Sequence, residues 1–255
     1  MAPALTFHAL PGLPEVRPGQ SLVELIGDGV SAAGLPVEDG DVVLVAQKIV
    51  SKSEGRIIAL DTVTPSPRAL ELAATCRKDP RLVELVLNQS TEILRLAPDV
   101  LIVRHLRGFV MANAGIDQSN VPGGGAAALL LPEDPDRSAA VLRAGLEARF
   151  GCRLAVVIND SFGRPWRRGT VGVAIGVAGL RALADLRGRP DREGRALQVT
   201  EVAVADELAA AASLLMGQAD EGRPVVLAKG LARDYLEPEQ GARDLLRPLA
   251  EDLFR

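Results

Sequence analysis

The chain is poor in the groups that most often announce a zinc enzyme or an acyl-transfer triad, with two histidines and two cysteines in 255 residues. His8 and His105 stand near no nucleophile elbow, so serine–histidine–aspartate catalysis finds no support. Cys76 and Cys152 have no metal-ligand spacing, which excludes a cysteine-based zinc cluster and reads both as small buried hydrophobes. Aromatic residues are only 3%, so the core must be built from Ala, Val, Leu and Ile. Basic and acidic residues number 29 and 33, for a net charge of −4, and this near balance provides no field to hold nucleic acid. No run approaches the ~20 apolar residues of a membrane span, and Met1 to Thr6 lacks the charged and apolar regions of a signal peptide. A soluble cytoplasmic protein is expected. The phosphate-loop pattern G-x-x-x-x-G-K-S/T is also missing, so a nucleotide would have to be held by other means.

What is present is a mixture of strand and helix signals without strict alternation, which favours α+β with a mixed sheet over a doubly wound fold. Val42 to Ala46 reads as a strand running out through Gln47, Lys48 and Lys52 into a polar loop. Ser66-Pro67 and Asp79-Pro80 each put a capping residue before a first-turn proline, predicting a peripheral helix pair to about Arg77 and Gln89. Leu101 to Val103 and Phe109 to Ala112 read as a hairpin, and Asp134-Pro135 opens a helix to about Phe150. Val171 to Gly176 is a strand of so little side-chain volume that another backbone or a ligand should pack closely on it. After Leu197 to Ala203, Asp206 can cap a helix ended by Gly217, and Pro224 to Ala228 is a further strand.

The densest chemistry lies in Ala155 to Gly169, where an apolar strand ends on Asp160 and Ser161 and is followed by Arg164, Arg167 and Arg168. A metal-capable acid beside fixed positive charge suits a multiply anionic, phosphorylated substrate, although such an Asp can also simply cap a turn. Asp117 follows another strand, and if the two strands are neighbours the carboxylates converge on Mg²⁺ or Mn²⁺; otherwise Asp117 opens an Asx-turn toward Ser119 and Asn120. Lys48 and Lys52, four apart, either meet phosphate or pair with Glu54 at the surface. Val121 to Gly125 is either an anion-binding nest of backbone N–H groups or a flexible connection.

In this order, Gly12-Leu13-Pro14-Glu15-Val16, Gly40-Asp41 through Gly55, Asn113 to Val121, Asn159 to Gly169, and Ala205-Asp206-Glu207 through Gly217 resemble the coenzyme F420-0:L-glutamate ligase family. The resemblance spans almost the whole chain. It implies a mixed-sheet, two-lobed α+β fold of the F420 gamma-glutamyl ligase type, a homodimer, and one ligase module over residues 1–255 without the nitroreductase-like domain of some relatives. The implied activity is GTP-dependent, GDP-forming addition of L-glutamate to the F420-0 precursor through an acyl phosphate, with further γ-linked glutamates as an extension. A ligase for another carboxylate and a non-catalytic nucleotide-binding homologue are the alternatives.

Carried over by position, Leu13, Pro14, Glu15 and Val16 would contact the guanine nucleotide, with Gln47, Lys48 and Lys52 in its phosphate and base region and Asn120 nearby. Met216, Gly217, Gln218, Ala219, Asp220, Glu221, Gly222 and Arg223 would line it. Asp117 and Asp160 would hold one Mg²⁺ or Mn²⁺, and Ser161 and Gln218 would reach a second, with K⁺ a further candidate ion. Gln218 stands where some members carry Glu, and Ser161 where relatives often have Thr. Catalysis falls to Asp160, Asp117 and the phosphate cation Lys52, while Arg164, Arg167 and Arg168 are candidates for substrate carboxylates or the deazaflavin phosphodiester.

Overall fold

The computed structural model of the chain describes residues 3–121, 124–236 and 240–252. In chain order the elements are β1 (Thr6–Ala9), α1 (Leu22–Ala32), β2 (Val42–Ala46), α2 (Gln47–Ser53), β3 (Ile57–Ala59), α3 (Pro67–Cys76), α4 (Pro80–Asn88), β4 (Ser90–Ala97), β5 (Val100–His105), β6 (Val110–Ala112) and β7 (Ala127–Leu129). There follow α5 (Pro135–Phe150), β8 (Ala155–Arg164), β9 (Arg167–Ala178), β10 (Ala184–Asp185), β11 (Glu201–Val202), α6 (Val204–Met216) and β12 (Val225–Lys229). A five-stranded sheet in the order β1-β12-β2-β8-β9 forms the centre, mixed because β2 and β8 run parallel while the other pairs are antiparallel. The fold is α+β, as the sequence suggests, and no barrel closes among the described residues.

Both faces of this sheet are covered, which is why β2 and the first half of β8 read as unbroken apolar runs. On one face Val43, Val45, Val156 and Ile158 pack with Leu25 and Ile26 of α1 and Leu142 and Leu146 of α5. On the other, Val42, Leu44 and Val157 meet Leu208, Ala209, Ala212 and Met216 of α6. Period-two alternation sorts these side chains between two cores, and each buried Val, Leu or Ile contributes about 1.5–3 kcal/mol.

A third core defines a smaller lobe, in which Leu72, Ala73, Cys76, Val83 and Val86 of α3 and α4 pack on Leu101 and Val103 of β5. The helix pair is therefore structural, and its starts are capped as expected, Ser66 Oγ accepting from Ala69 N and Asp79 Oδ1 from Arg81 N. Cys76 is buried there, whereas Cys152 is only half-buried. His105, at the end of β5, is buried, its Nδ1 accepts from Arg107 N at 3.0 Å, and its Nε2 has no hydrogen-bond partner. Burial first, then the charges of Arg107 and Arg56, depress its pKa from 6.5 to about 4. The unfolded chain therefore takes up this proton before the folded one does. Stability is expected to fall as pH drops from about 6.5 and to level off below about 4, by up to about 3 kcal/mol. Urea midpoints at intervals across that range check this, and His105→Gln should flatten the slope.

Several local expectations are corrected. No polar loop follows β2, because α2 begins at once. Ile49 and Val50 are buried, and Ser51 Oγ donates to Gln47 Oε1 one turn away, so a helical face wins over a continuing strand. The arginine-rich segment after Asp160 is likewise no loop but the β8–β9 hairpin, turned at Trp166, whose φ is +63°. Asp206 is not a cap, since α6 starts after Ala203 and the Asp206 carboxylate accepts from Ala174 N on β9 instead. Ahead of α6, Glu201–Val202 pairs with β10. The expected close approach on Val171 to Gly176 is present twice. A Cβ on Gly172 would lie 2.3 Å from Ala209 O of α6, and one on Gly176 2.4 Å from Pro135 O of α5.

Candidate functional site

At the C-terminal ends of the parallel strands β2 and β8, a cleft of about 520 Å³ opens between the main sheet and the smaller lobe. Such strand ends are where open sheets commonly place ligands. Its walls come from five stretches: Leu13 to Val16, the first turns of α2, the segment after α6, Asp117 with Ser119 and Asn120, and Asn159 to Ser161 of β8. Every nucleotide-lining residue expected from the sequence borders this cleft, from Leu13, Pro14, Glu15, Val16, Gln47, Lys48, Lys52 and Asn120 to the run Met216 to Arg223. Asp160 and Ser161 border it as well.

The two carboxylates arrive by different routes from those expected. Asp117 does not end a strand beside β8, because β6 belongs to the sheet of the smaller lobe. It follows a tight turn, Asn113–Gly115, with three successive left-handed residues, and is fixed by backbone bonds with Leu129 in both directions. The Asx-turn is also real: Ser119 N donates to Asp117 Oδ1 at 2.7 Å. Across the cleft, Lys48 Nζ lies 2.6 Å from Asp117 Oδ2 and 2.8 Å from Ser119 Oγ. Burial raises the Asp117 pKa, but the bonds from Lys48 and Ser119 outweigh it and leave the group below the usual carboxylate value. Asp160 behaves oppositely. Burial, and then the nearby Asp117 charge, push its carboxyl up to about 7 against the opposing Ser161 N–H and Lys48.

Lys52 is buried and its Nζ meets Glu15 Oε1 at 2.6 Å, so neither lysine takes Glu54, whose carboxylate turns to Ser138 Oγ and Glu133 N. Beyond α6, Gly217 has φ +77° and a Cβ there would collide with the Glu221 carboxylate, which accepts from Ala219 N at 2.9 Å. Asn120 Nδ2 reaches Ala219 O at 3.4 Å and ties this segment to the smaller lobe. Alternation along β8 sends Asp160 to the face of Ile158 and Phe162, and Ser161 to the α6 face, with Gln218 just beyond that helix.

Among the described residues no three His, Cys, Asp or Glu side chains converge as a metal cage. Two carboxylates, a hydroxyl and an amide oxygen are nevertheless hard donors of the kind Mg²⁺ accepts, since that ion usually takes one or two carboxylates and completes its shell with water and substrate phosphates. Arg164, Arg167 and Arg168 are exposed on the hairpin tip and do not border this cleft, because the strand runs on past Asp160. Pro122 and Gly123 of the glycine-rich stretch lie outside the described residues. Asn159, present in the motif but given no role there, also lines the cleft: it is buried, its Nδ2 donates to Met216 Sδ at 3.3 Å, and its Oδ1 has no hydrogen-bond partner. A polar side chain at the inner end of an all-apolar strand was the available signal.

A mixed sheet carrying an acid- and lysine-lined cleft, with no phosphate loop, marks a ligand-binding α+β enzyme scaffold of an unusual kind. The model of the F420-0:gamma-glutamyl ligase family matches residues 12–230, and the chain belongs to that family of ligases. It is similar to the coenzyme F420:L-glutamate ligase of Methanothermobacter thermautotrophicus, with 49% identity over 98% of this chain and 99% of the relative. The enzymes of the same name from Methanopyrus kandleri and Haloarcula marismortui are 46% and 44% identical, over 99% and 98% of this chain and 98% and 96% of theirs. No helix among the described residues is long and apolar enough to cross a membrane.

Proposed function

We propose that this chain joins L-glutamate to coenzyme F420-0 in a GTP-dependent, GDP-forming reaction, working as a homodimer. The single observation that carries the reading is the gathering of Asp117, Asp160, Lys48 and Lys52 with the Leu13–Val16 and Met216–Arg223 segments on one cleft. In the proposed sequence the precursor's terminal carboxylate takes the γ-phosphoryl group of GTP, giving an acyl phosphate and GDP. The glutamate amine then attacks the acyl carbon and phosphate leaves as the amide forms. Bringing a carboxylate to a triphosphate sets like charges against each other, so catalysis here is positioning and charge neutralisation.

Each residue has a task in that scheme. Lys52, buried and rigid in α2, offers a cation to phosphate once Glu15 releases it, and Lys48 does the same when Asp117 turns to other partners. Asp117 and Asp160 would hold Mg²⁺ or Mn²⁺, with Ser161 and Gln218 toward a second ion and K⁺ a further candidate. Such an ion supplies neutralisation of phosphate charge. The backbone of Gly217 to Arg223, folded by Glu221, lines the nucleotide.

Mass spectrometry of the protein with GTP, glutamate, Mn²⁺ and F420-0 tests the reading. A gain of one glutamyl residue with stoichiometric GDP supports it, and GTP left intact while the precursor is unchanged sinks it. Further glutamates on the product would extend it to polyglutamylation. Gln218 provides a finer test, since a neutral amide oxygen binds cations less tightly than a carboxylate. Gln218→Glu is expected to lower the metal concentration giving half-maximal activity, and Gln218→Ala to raise it without abolishing turnover. Identical activation curves for all three proteins would remove Gln218 from the ligand set.

A further inference from the structure

The pairing of β2 with β8 ends at Ala46 opposite Asn159, so beyond that rung the strand partners of Asp160 and Ser161 among the described residues are Val173 and Gly172 of β9. At this point the β8–β9 ladder is irregular. Ile158 faces Gly176 and Asn159 faces Ala174, which leaves Ile175 as one extra residue in β9. The bulge reverses the parity of the strand. Ala174 packs toward α6, Ile175 toward α5, and Gly172 and Gly176, four apart, approach different helices.

The bulge is bracketed by two carboxylates. Ala174 N donates to Asp206 Oδ1 of α6 at 2.9 Å, and Val177 N donates to Asp136 Oδ1 of α5 at 2.9 Å. On a regular strand, N–H groups three residues apart point to opposite sides, and the inserted residue lets both meet acceptors beside β9, the outermost strand of the sheet. Asp136 also accepts from Ala242 N at 2.7 Å, so it serves a second segment, whereas the Asp206 bond to Ala174 sits directly opposite Asn159. Three residues along α6, Ala209 rests against Gly172, the partner of Ser161. Thus Asp206 sets how α6 and β9 present the two residues past Asn159. Asp206 itself is not among the residues that border the cleft.

We propose that Asp206 is a positioning residue for Asp160 and Ser161, acting by accepting the N–H of Ala174 at the β9 bulge. The inference rests on the reading of Asp160 and Ser161 as cation ligands. Losing the acceptor leaves a strand N–H without a partner and frees the bulge to migrate, and a one-residue slip of register exchanges the two faces of a strand.

The test compares wild-type protein with Asp206→Ala, which removes the acceptor, and Asp206→Asn, which keeps an amide oxygen there. Mn²⁺ binding is followed by electron paramagnetic resonance without nucleotide, and amide hydrogen exchange is followed over residues 170–178. Asp206→Ala should weaken Mn²⁺ binding by about tenfold or more and accelerate exchange at Ala174, while Asp206→Asn stays close to wild type. Unchanged Mn²⁺ affinity in Asp206→Ala overturns the inference, as does an Asn variant as impaired as the Ala variant. Wild-type protein that binds no Mn²⁺ overturns the cation reading and this inference together, whereas binding that Asp206→Ala leaves intact overturns the inference alone. Should Asp206→Ala fail to fold, Asp206→Glu, which displaces the carboxylate by one methylene, carries the same comparison.

Discussion

Excess EDTA is expected to bring glutamate addition down to background, with Mg²⁺ or Mn²⁺ restoring it. The cleft is bordered by five carboxylate residues, Glu15, Asp117, Asp160, Asp220 and Glu221, against three cationic ones, Lys48, Lys52 and Arg223. Both lysines are already paired, with Asp117 and Glu15. A triphosphate entering such walls meets net repulsion, and at an effective dielectric of about 20 each uncompensated like-charge contact near 4 Å costs about 4 kcal/mol. With no phosphate loop to supply a ring of N–H donors, a divalent cation is the remaining means of offsetting that charge. Turnover assayed after exhaustive chelation decides the point. Undiminished rates in EDTA would show that Asp117 and Asp160 hold no ion needed for turnover.

Replacing Asp160 by Asn should lower kcat by about two orders of magnitude or more while leaving the folded state intact, because under the proposed function it removes a cation-holding carboxylate and with it several kcal/mol of charge stabilisation. Relief of burial cost works in the other direction on stability. The carboxyl is pushed up to about 7 chiefly by desolvation, so a neutral amide of the same shape should not weaken the fold. Rate and stability thus separate in one variant. Circular dichroism with thermal melts, beside turnover and Mn²⁺ titration, checks both halves. Near-normal turnover in Asp160→Asn would leave Asp160 a strand residue with no part in the chemistry.

The sequence was most legible where one physical cause dominates. Proline after a capping Ser or Asp placed α3, α4 and α5 within a residue or two, and the volume-poor Gly172 to Gly176 run announced that backbones meet there. It was least legible where tertiary contacts decide. Gln47 to Ser53 carries no capping side chain at Ala46, so only its buried face reveals a helix. The hairpin beyond Asp160 and the role of Asp206 depend on a bulge that no local pattern records. Strand β1 and helix α1 escaped notice altogether, although Ser21 accepts from Glu24 N at the start of α1. As for the cleft, its residues were named from a resemblance, whereas spacing alone left Asp117 and the lysines ambiguous. The Lys48–Asp117 pair shows why, since its partners are 69 positions apart and belong to different lobes.

That separation has a mechanical consequence. Asp117 belongs to the lobe built on α3, α4 and β5, while Lys48 on α2 and Asp160 on β8 belong to the main body. Phe109 and Met111 of the lobe already pack in the main core beside Phe162, and the cleft adds polar contacts to that apolar seam. Anything bridging Asp117 to Asp160 would add a second tie between the two cores and raise their cooperativity. The binding free energy would then be spent partly on suppressing the lobe's independent opening. Substrate occupancy and the rigidity of a distant helix pair would become two readings of the same equilibrium.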